Sequence, residues 1–294
     1  MSAVPYFLGC PVWACERWHG SLYTRSARRD QWLRQYSQVF NTVEGNSTFY
    51  GLPAASTVAR WIDTSAPDFR FALKFPRAIS HEKRLLGAEP ETEEFLALLE
   101  QLREGQRLGP SFLQLPRGFS AHHLEDLERY LRRLPRTFPY AVEVRHADFF
   151  DGAKFEEELN TMLTELHIDR VIFDSRPLFS AAPEDDAERA SQGRKPRLPV
   201  HTTLTGRHPL LRLVGRNDLR RVAAWIHEWV PIISRWIACG ARPFVFTHTP
   251  DEAYAPRMAR MFHEELARHA SGIAGMRPWP GENEPREARQ LELF

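Results

Sequence analysis

Short apolar runs alternate with longer stretches of helical period along most of the chain. The runs at residues 6–10, 39–44, 69–74, 111–115, 140–144, 170–174, 210–214 and 243–247 have the length and the Val, Ile, Leu, Phe and Tyr content of strands. Between them apolar residues recur every three to four positions, which predicts helices over 28–38, 56–64, 91–106, 124–134, 153–166, 219–239 and 255–270. Eight strands spaced about thirty residues apart, with helices between, predict an α/β protein built as a single (β/α)8 TIM-like barrel over residues 1–275. An open doubly wound sheet would carry a glycine-rich phosphate loop after its first strand. No G-x-G-x-x-G follows there, and the first run leads into Pro11 and Trp13 instead.

Two stretches break the pattern. Residues 175–209 hold Pro, Gly and charges with little periodicity, so they read as a functional loop with a short helix around 183–192. From 276 the chain turns to Pro, Gly and Glu, which predicts a flexible tail over 276–294 ending in Gln290-Leu291-Glu292-Leu293-Phe294. No window reaches the roughly 18 uninterrupted apolar residues of a membrane span.

In a barrel of this kind chemistry sits at the carboxyl ends of the strands. The polar residues there are Glu44 and Asn46, Lys74, Gln114, Glu143 and Arg145, Asp174, Arg212 and His248. Glu143 and Arg145 are two apart between Val142 and Val144, so both leave one face of the strand, as inward-pointing charge would. Charges in strands are costly to bury unless paired, which makes the set more informative than any member. Two readings fit. In one, Glu44, Glu143, Asp174 and His248 converge on a divalent ion such as Mg2+ or Mn2+. In the other, the acids form a salt-bridge ring with Arg145, Arg212 and Lys74.

Composition sharpens this picture in a few places. The 294 residues carry 39 basic and 38 acidic side chains, a net charge of +1, so no global field drives the protein onto DNA or membranes. Only four of the basic residues are lysines, at 74, 83, 154 and 195, which singles out Lys74 as a phosphate ligand, or as a base if burial depresses its pKa. Three cysteines, Cys10, Cys15 and Cys239, argue against a disulfide framework and for a reducing compartment, with no signal peptide evident, so the cytoplasm is expected. Trp13, Trp18, Phe49 and Tyr50 cluster in the loops after the first two strands, where Trp13 and Tyr50 could stack on a base or a sugar ring.

Several segments carry a resemblance. Gly9-Cys10-Pro11-Val12-Trp13, the run from Phe40 through Glu44-Gly45-Asn46 to Tyr50, Phe71-Ala72-Leu73-Lys74, Leu113-Gln114-Leu115-Pro116, Ala141-Val142-Glu143-Val144-Arg145-His146, Leu211-Arg212-Leu213-Val214-Gly215-Arg216 and Ala255-Pro256-Arg257-Met258-Ala259 are similar to the signatures of the YecE-like family, domain of unknown function 72. The resemblance covers roughly residues 5–270 and implies a TIM-barrel-like fold and a site, but no reaction. It also implies an Asn pair near Thr247-His248, so His248 is a departure. The last five residues resemble the peptide by which bacterial repair proteins bind the replication sliding clamp, with Gln290 at the rim and Leu291, Leu293 and Phe294 in apolar pockets.

The expected function is therefore a phosphodiester hydrolase acting on nucleic acid or a related phosphorylated substrate and recruited to the clamp. Glu143 or Asp174 would act as base or metal ligand, with Glu44 as a second acid. Lys74, Arg145 and Arg212 would hold phosphate, and Asn46, Gln114, His248, Trp13 and Tyr50 would contact the substrate. The alternatives are a sugar or sugar-phosphate isomerase and a non-catalytic DNA-repair adaptor.

Overall fold

Strands this short and this apolar hold together only when both faces are covered, and helices cover them here. The computed structural model of the chain describes residues 5–284 apart from Asp151. The described residues form nine strands: β1 (Phe7–Gly9), β2 (Thr42–Gly45), β3 (Arg70–Leu73), β4 (Ser111–Gln114), β5 (Tyr140–Glu143), β6 (Asp169–Arg170), β7 (Ile172–Asp174), β8 (Leu210–Val214) and β9 (Phe244–His248). They also form eight α-helices: α1 (Arg29–Val39), α2 (Ala55–Thr64), α3 (Glu89–Glu104), α4 (Leu124–Arg133), α5 (Lys154–Glu165), α6 (Asp186–Arg194), α7 (Ala223–Ala238) and α8 (Ala255–His269). The sixth expected strand is thus two pieces, because β6 pairs with β5 whereas β7 pairs with β8. The second starts at Thr42, since Val39 still belongs to α1 and the Asn41 side chain bridges Leu8 N–H and Tyr6 O.

All pairings are parallel, as a βαβ chain requires. The ladders run β1-β9-β8-β7, β2-β3 and β4-β5-β6, and they do not close into one continuous sheet. A few backbone bonds carry the barrel order across the seams: Glu44 N–H to Cys10 O at 3.1 Å between β1 and β2, and Phe71 N–H to Arg107 O at 2.8 Å, Gly109 N–H to Phe71 O at 2.9 Å and Phe75 N–H to Phe112 O at 3.0 Å between β3 and β4. At the first seam a Cβ on Gly9 would stand 2.0 Å from Thr42 O, so only glycine lets the backbones approach.

Side-chain parity sorts the interior into layers. Phe7, Ala72, Phe112, Ala141, Val171, Leu210, Phe244 and Phe246 fill the barrel as one apolar plug. Val43, Leu73, Leu113, Val142, Ile172, Leu211, Leu213 and Val245 face the larger core under the helices.

The 175–209 excursion folds back over the carboxyl ends of the strands. Asp185 caps α6 by accepting from Glu188 N–H. The Glu188 carboxylate then clasps Arg216 just past β8, both side chains being buried, and accepts Asn217 N–H at 3.1 Å. Part of the segment expected as a tail packs against the barrel. Trp279 is a large ring with somewhere to go: it is buried, with the Arg260 guanidinium 3.5 Å from its centroid and Glu282 paired to that Arg at 2.8 Å. The candidate clamp peptide, Gln290, Leu291, Leu293 and Phe294, lies outside the described residues. Among the described residues no helix is long and apolar enough to cross a membrane.

Candidate functional site

The strand period of two builds the site directly on the plug. Two residues past Ala72, Phe112, Ala141, Val171, Leu210 and Phe246 stand Lys74, Gln114, Glu143, Phe173, Arg212 and His248, and Glu44 of β2 joins them. One pleat above an apolar layer, at the carboxyl end of the barrel, lies a polar one.

Arg212 is its centre. Its Nε and Nη2 donate to Glu44 at 2.8 and 2.7 Å, and its Nη1 donates to Glu143 at 2.6 Å. Glu143 also accepts from Gln114 Nε2 at 2.9 Å and Arg145 Nε at 2.6 Å. Glu44 also accepts from Asn46 Nδ2 at 2.7 Å and His248 Nε2 at 3.0 Å. Lys74 Nζ donates to Gln114 Oε1 at 2.8 Å and rests 3.7 Å from the centroid of the Phe49 ring. The chain Lys74–Gln114–Glu143–Arg212–Glu44–His248 is unbroken.

Burial and charge set the protonation states. Burial works against ionising Glu143, but Arg145 and Arg212 outweigh it and hold its carboxyl down at about 2. Glu44 is likewise buried and held well below the usual carboxylate range by Arg212 and His248. Burial lowers His248 to about 4 although Glu44 beside it favours the charged form, so the imidazole is neutral and donates. Burial, then repulsion from Arg212, brings Lys74 down to about 7. Both carboxylates are thus spent on cations, and Lys74 is the group poised to gain or lose a proton near neutrality.

The outcome for the expected site residues is mixed. Glu44, Asn46, Lys74, Gln114, Glu143, Arg145, Arg212 and His248 come together. Asp174 does not. It turns outward, accepting Trp229 Nε1 of α7 at 2.8 Å and pairing with Arg176 at 2.8 Å, because Phe173 takes the inward face of β7. Trp13 packs on the helix side against Trp61 and Phe71, at 5.2 and 6.0 Å between ring centroids. Tyr50 is exposed, edge-on to Phe49. The divalent-ion expectation falls with Asp174, since the carboxylate oxygens of Glu44 and Glu143 face Arg212. Among the described residues no group of three or more His, Cys, Asp or Glu side chains is placed to hold a metal. The ring of ion pairs is what the acids build.

Three residues of the mouth escape the sequence reading. Phe173 is the platform for the guanidiniums of Arg212 and Arg145, at 5.3 and 5.6 Å from its centroid. Lys195, just past α6, brings its amine to 5.9 Å from the same ring and is lowered to about 8 by burial and then by Arg212. The scarcity of lysine that singled out Lys74 applies equally to Lys195. His81, in the loop after β3, meets the Phe49 ring edge-on at 5.0 Å. Among the described residues the Arg145 Nη atoms and Lys195 Nζ have no hydrogen-bond partner.

A parallel α/β barrel with an ion-paired polar layer at its carboxyl mouth is the class of protein this chain defines. The family profile described as "Protein of unknown function DUF72" matches residues 7–284, and the chain belongs to that family. It is 37% identical over 262 residues to the UPF0759 protein YecE of Escherichia coli K12, covering 89% of this chain and 93% of that one, and equally identical to the protein of that name from strain O157:H7. Among solved structures it is similar to a DUF72 family protein from Thermotoga maritima, with a TM-score of 0.65 at 23% identity over 89% of this chain and 98% of the other. A DUF72 family protein from Enterococcus faecalis gives a TM-score of 0.61 at 20% identity, over 80% of this chain and 92% of the other. These structural likenesses concern the fold alone.

Proposed function

We propose that the mouth binds a small phosphorylated substrate and that Lys74 is the group that moves a proton on it. The observation that carries this reading is a set of cations with donors to spare: Glu44 and Glu143 are bonded to Arg212 and Arg145, which leaves the Lys74 and Lys195 amines with no carboxylate bonded to them, Glu252 acting on Lys195 only at longer range, beside the free fork of Arg145. An oxyanion supplies the missing charge and takes their donors. A small ligand is favoured over a nucleic-acid strand, because the polar layer is almost closed: Glu44, Glu143, Arg212, His248 and Lys74 are 0, 1, 4, 4 and 8% exposed.

Phosphodiester hydrolysis fits this site in one form. In the discharged fraction of Lys74 present near pH 7, with Arg145 and Lys195 holding the phosphate, the neutral amine takes a proton from water as its oxygen bonds to phosphorus, then returns it to the oxygen whose bond to phosphorus breaks. Glu143, its oxygens already engaged, positions Arg145 and Arg212 rather than acting as the base. Recruitment to a sliding clamp rests on the terminal peptide alone, and loss of clamp binding on truncation after Arg289 is its test.

The reading is tested by titrating inorganic phosphate into the protein and its Lys74→Met variant. Affinity should fall roughly tenfold or more from about pH 6 to about pH 9 as the two lysines discharge, since a hydrogen bond to a charged group contributes about 1.5–3 kcal/mol. Lys74→Met should weaken binding and flatten the dependence. Wild-type protein that binds no phosphate at either pH overturns it.

A further inference from the structure

His81 lies at the mouth beside Lys74, and the hydrogen bonds behind it decide which nitrogen it presents. The first strand-end loop past Lys74 makes one wide helical turn over Ala78–Glu82. In that turn the buried Ser80 hydroxyl stands 2.9 Å from His81 Nδ1 and 3.3 Å from Pro76 O. A hydroxyl has one hydrogen. If it goes to Pro76 O, then Nδ1–H donates to Ser80 Oγ and both contacts are hydrogen bonds. If it goes to Nδ1, the contact between Ser80 Oγ and Pro76 O loses its hydrogen, and among the described residues Pro76 O keeps only the backbone N–H groups of Ile79 and Ser80, at 3.2 and 3.3 Å. The charges in front of the ring choose the same way. Lys74 just past β3, Arg145 past β5 and Arg77 from its own loop, itself paired with Glu82 at 3.4 Å, act on His81, with Glu143 opposing them. A field of that sign favours a lone pair toward the mouth and an N–H away from it. Burial and then those cations bring the imidazole down to about 4, so it is neutral near pH 7. Nε2 has no hydrogen-bond partner among the described residues.

We propose that His81 is a specificity-determining residue of the mouth, whose bare Nε2 accepts a hydrogen bond from a hydroxyl of the substrate, which makes that substrate a hydroxylated phosphate ester of the sugar-phosphate class. The inference rests on the phosphate-binding reading above and deepens it. The cations supply donors for the oxyanion, and a site built only of donors would not tell a sugar phosphate from phosphate itself. His81, on the edge of the same Phe49 ring that carries Lys74 on its face, adds an acceptor within the same ligand's reach. A hydroxyl is the group on a phosphorylated sugar that donates to it, whereas phosphate oxygens at neutral pH do so poorly.

The experiment compares inorganic phosphate with ribose 5-phosphate on the full-length protein by calorimetry, in wild type, His81→Phe and His81→Gln. Wild type should bind ribose 5-phosphate more tightly than phosphate. His81→Phe should weaken the sugar phosphate about fivefold, the worth of one net hydrogen bond, while leaving phosphate affinity unchanged. His81→Gln, whose carbonyl still accepts, should recover most of the loss. The imidazole nitrogen-15 shifts of His81 should show a protonated Nδ1 and a bare Nε2. Absence of phosphate binding in wild type overturns the phosphate site itself. Phosphate binding with no preference for the sugar phosphate, an equal loss of both ligands in His81→Phe, or a protonated Nε2 overturns the role of His81 and leaves the phosphate site standing.

Discussion

Removing the Arg212 side chain beyond its apolar stem, as Arg212→Met, should leave two carboxylates buried without their main counter-ion. Three hydrogen bonds disappear, at 2.8, 2.7 and 2.6 Å. Glu44 keeps Asn46 and the neutral His248, while Glu143 keeps Gln114 and Arg145. Breaking one side of a buried pair typically costs about 3–5 kcal/mol, because the stranded charge stays desolvated. In a chain of this size that is a drop of roughly 5–8 °C in Tm. The deficit must also depend on pH, with a definite sign. The folded Glu143 carboxyl, at about 2 against 4.5 when free, is depressed, so its contribution is present above about pH 4.5 and fades as pH falls toward 2. At about 1.4 kcal/mol per unit this comes to about 3 kcal/mol. Losing Arg212 raises the folded value, so acidification should bring variant and wild type together. Urea unfolding followed by circular dichroism at about pH 7 and about pH 4 measures both effects. Converting the pair to Arg212→Met and Glu44→Gln should recover much of the loss, since Glu143 then keeps Arg145 and no carboxylate is left without a cation. A single variant within about 2 °C of wild type at neutral pH, or a deficit unchanged by acid, would refute the claim that this ring is held by charge.

Two further predictions concern the frame around the site. Asp169 is buried, accepts among the described residues only the His208 N–H, at 3.0 and 3.1 Å, and is pushed by burial up to about 7 from 3.8. A raised value means stability that is present below about pH 4 and lost as pH rises to 7. Asp169→Asn, whose carbonyl still accepts, should therefore be more stable at neutral pH by up to about 4 kcal/mol and no different near pH 4, and a flat difference across that range would sink the reasoning. Gly9→Ala places a Cβ against Thr42 O at the β1–β2 seam and should cost about 3 kcal/mol or more, whereas Gly51→Ala, with nothing within 4 Å, should leave Tm unchanged; equal melting of the two would place the seam elsewhere.

Much of the mouth is legible where polar and apolar residues alternate. Val142-Glu143-Val144-Arg145 has one inward face whichever way it is drawn, because a charge cannot sit against the helices while two valines face the polar layer. The same logic places Gln114 after Phe112 and Arg212 between Leu211 and Leu213. It fails at β7. Val171-Ile172-Phe173 is apolar on both faces, as a parallel strand covered on both sides is free to be, so nothing in the run says which way Asp174 turns. Trp13 fails for another reason: a loop has no period from which to read a direction.

What the amino-acid order determined by itself is the barrel and those members of its polar layer that lie in alternating strands, since strand length, helical period and pairwise alternation are local properties of the chain. What only the tertiary structure decided is how that layer is wired. Glu44 and Arg212 stand 168 residues apart, and His248 lies 204 from Glu44. Whether such acids meet a metal, a base or a guanidinium depends on distances that close only when the strands do. Lys195 arrives from the excursion by the Glu188–Arg216 clasp, and the proton affinity of Lys74 follows from burial and from charges brought by β5 and β8. Protonation is a property of the assembled field, to which neighbours such as Arg145 add but which burial and distant strands complete.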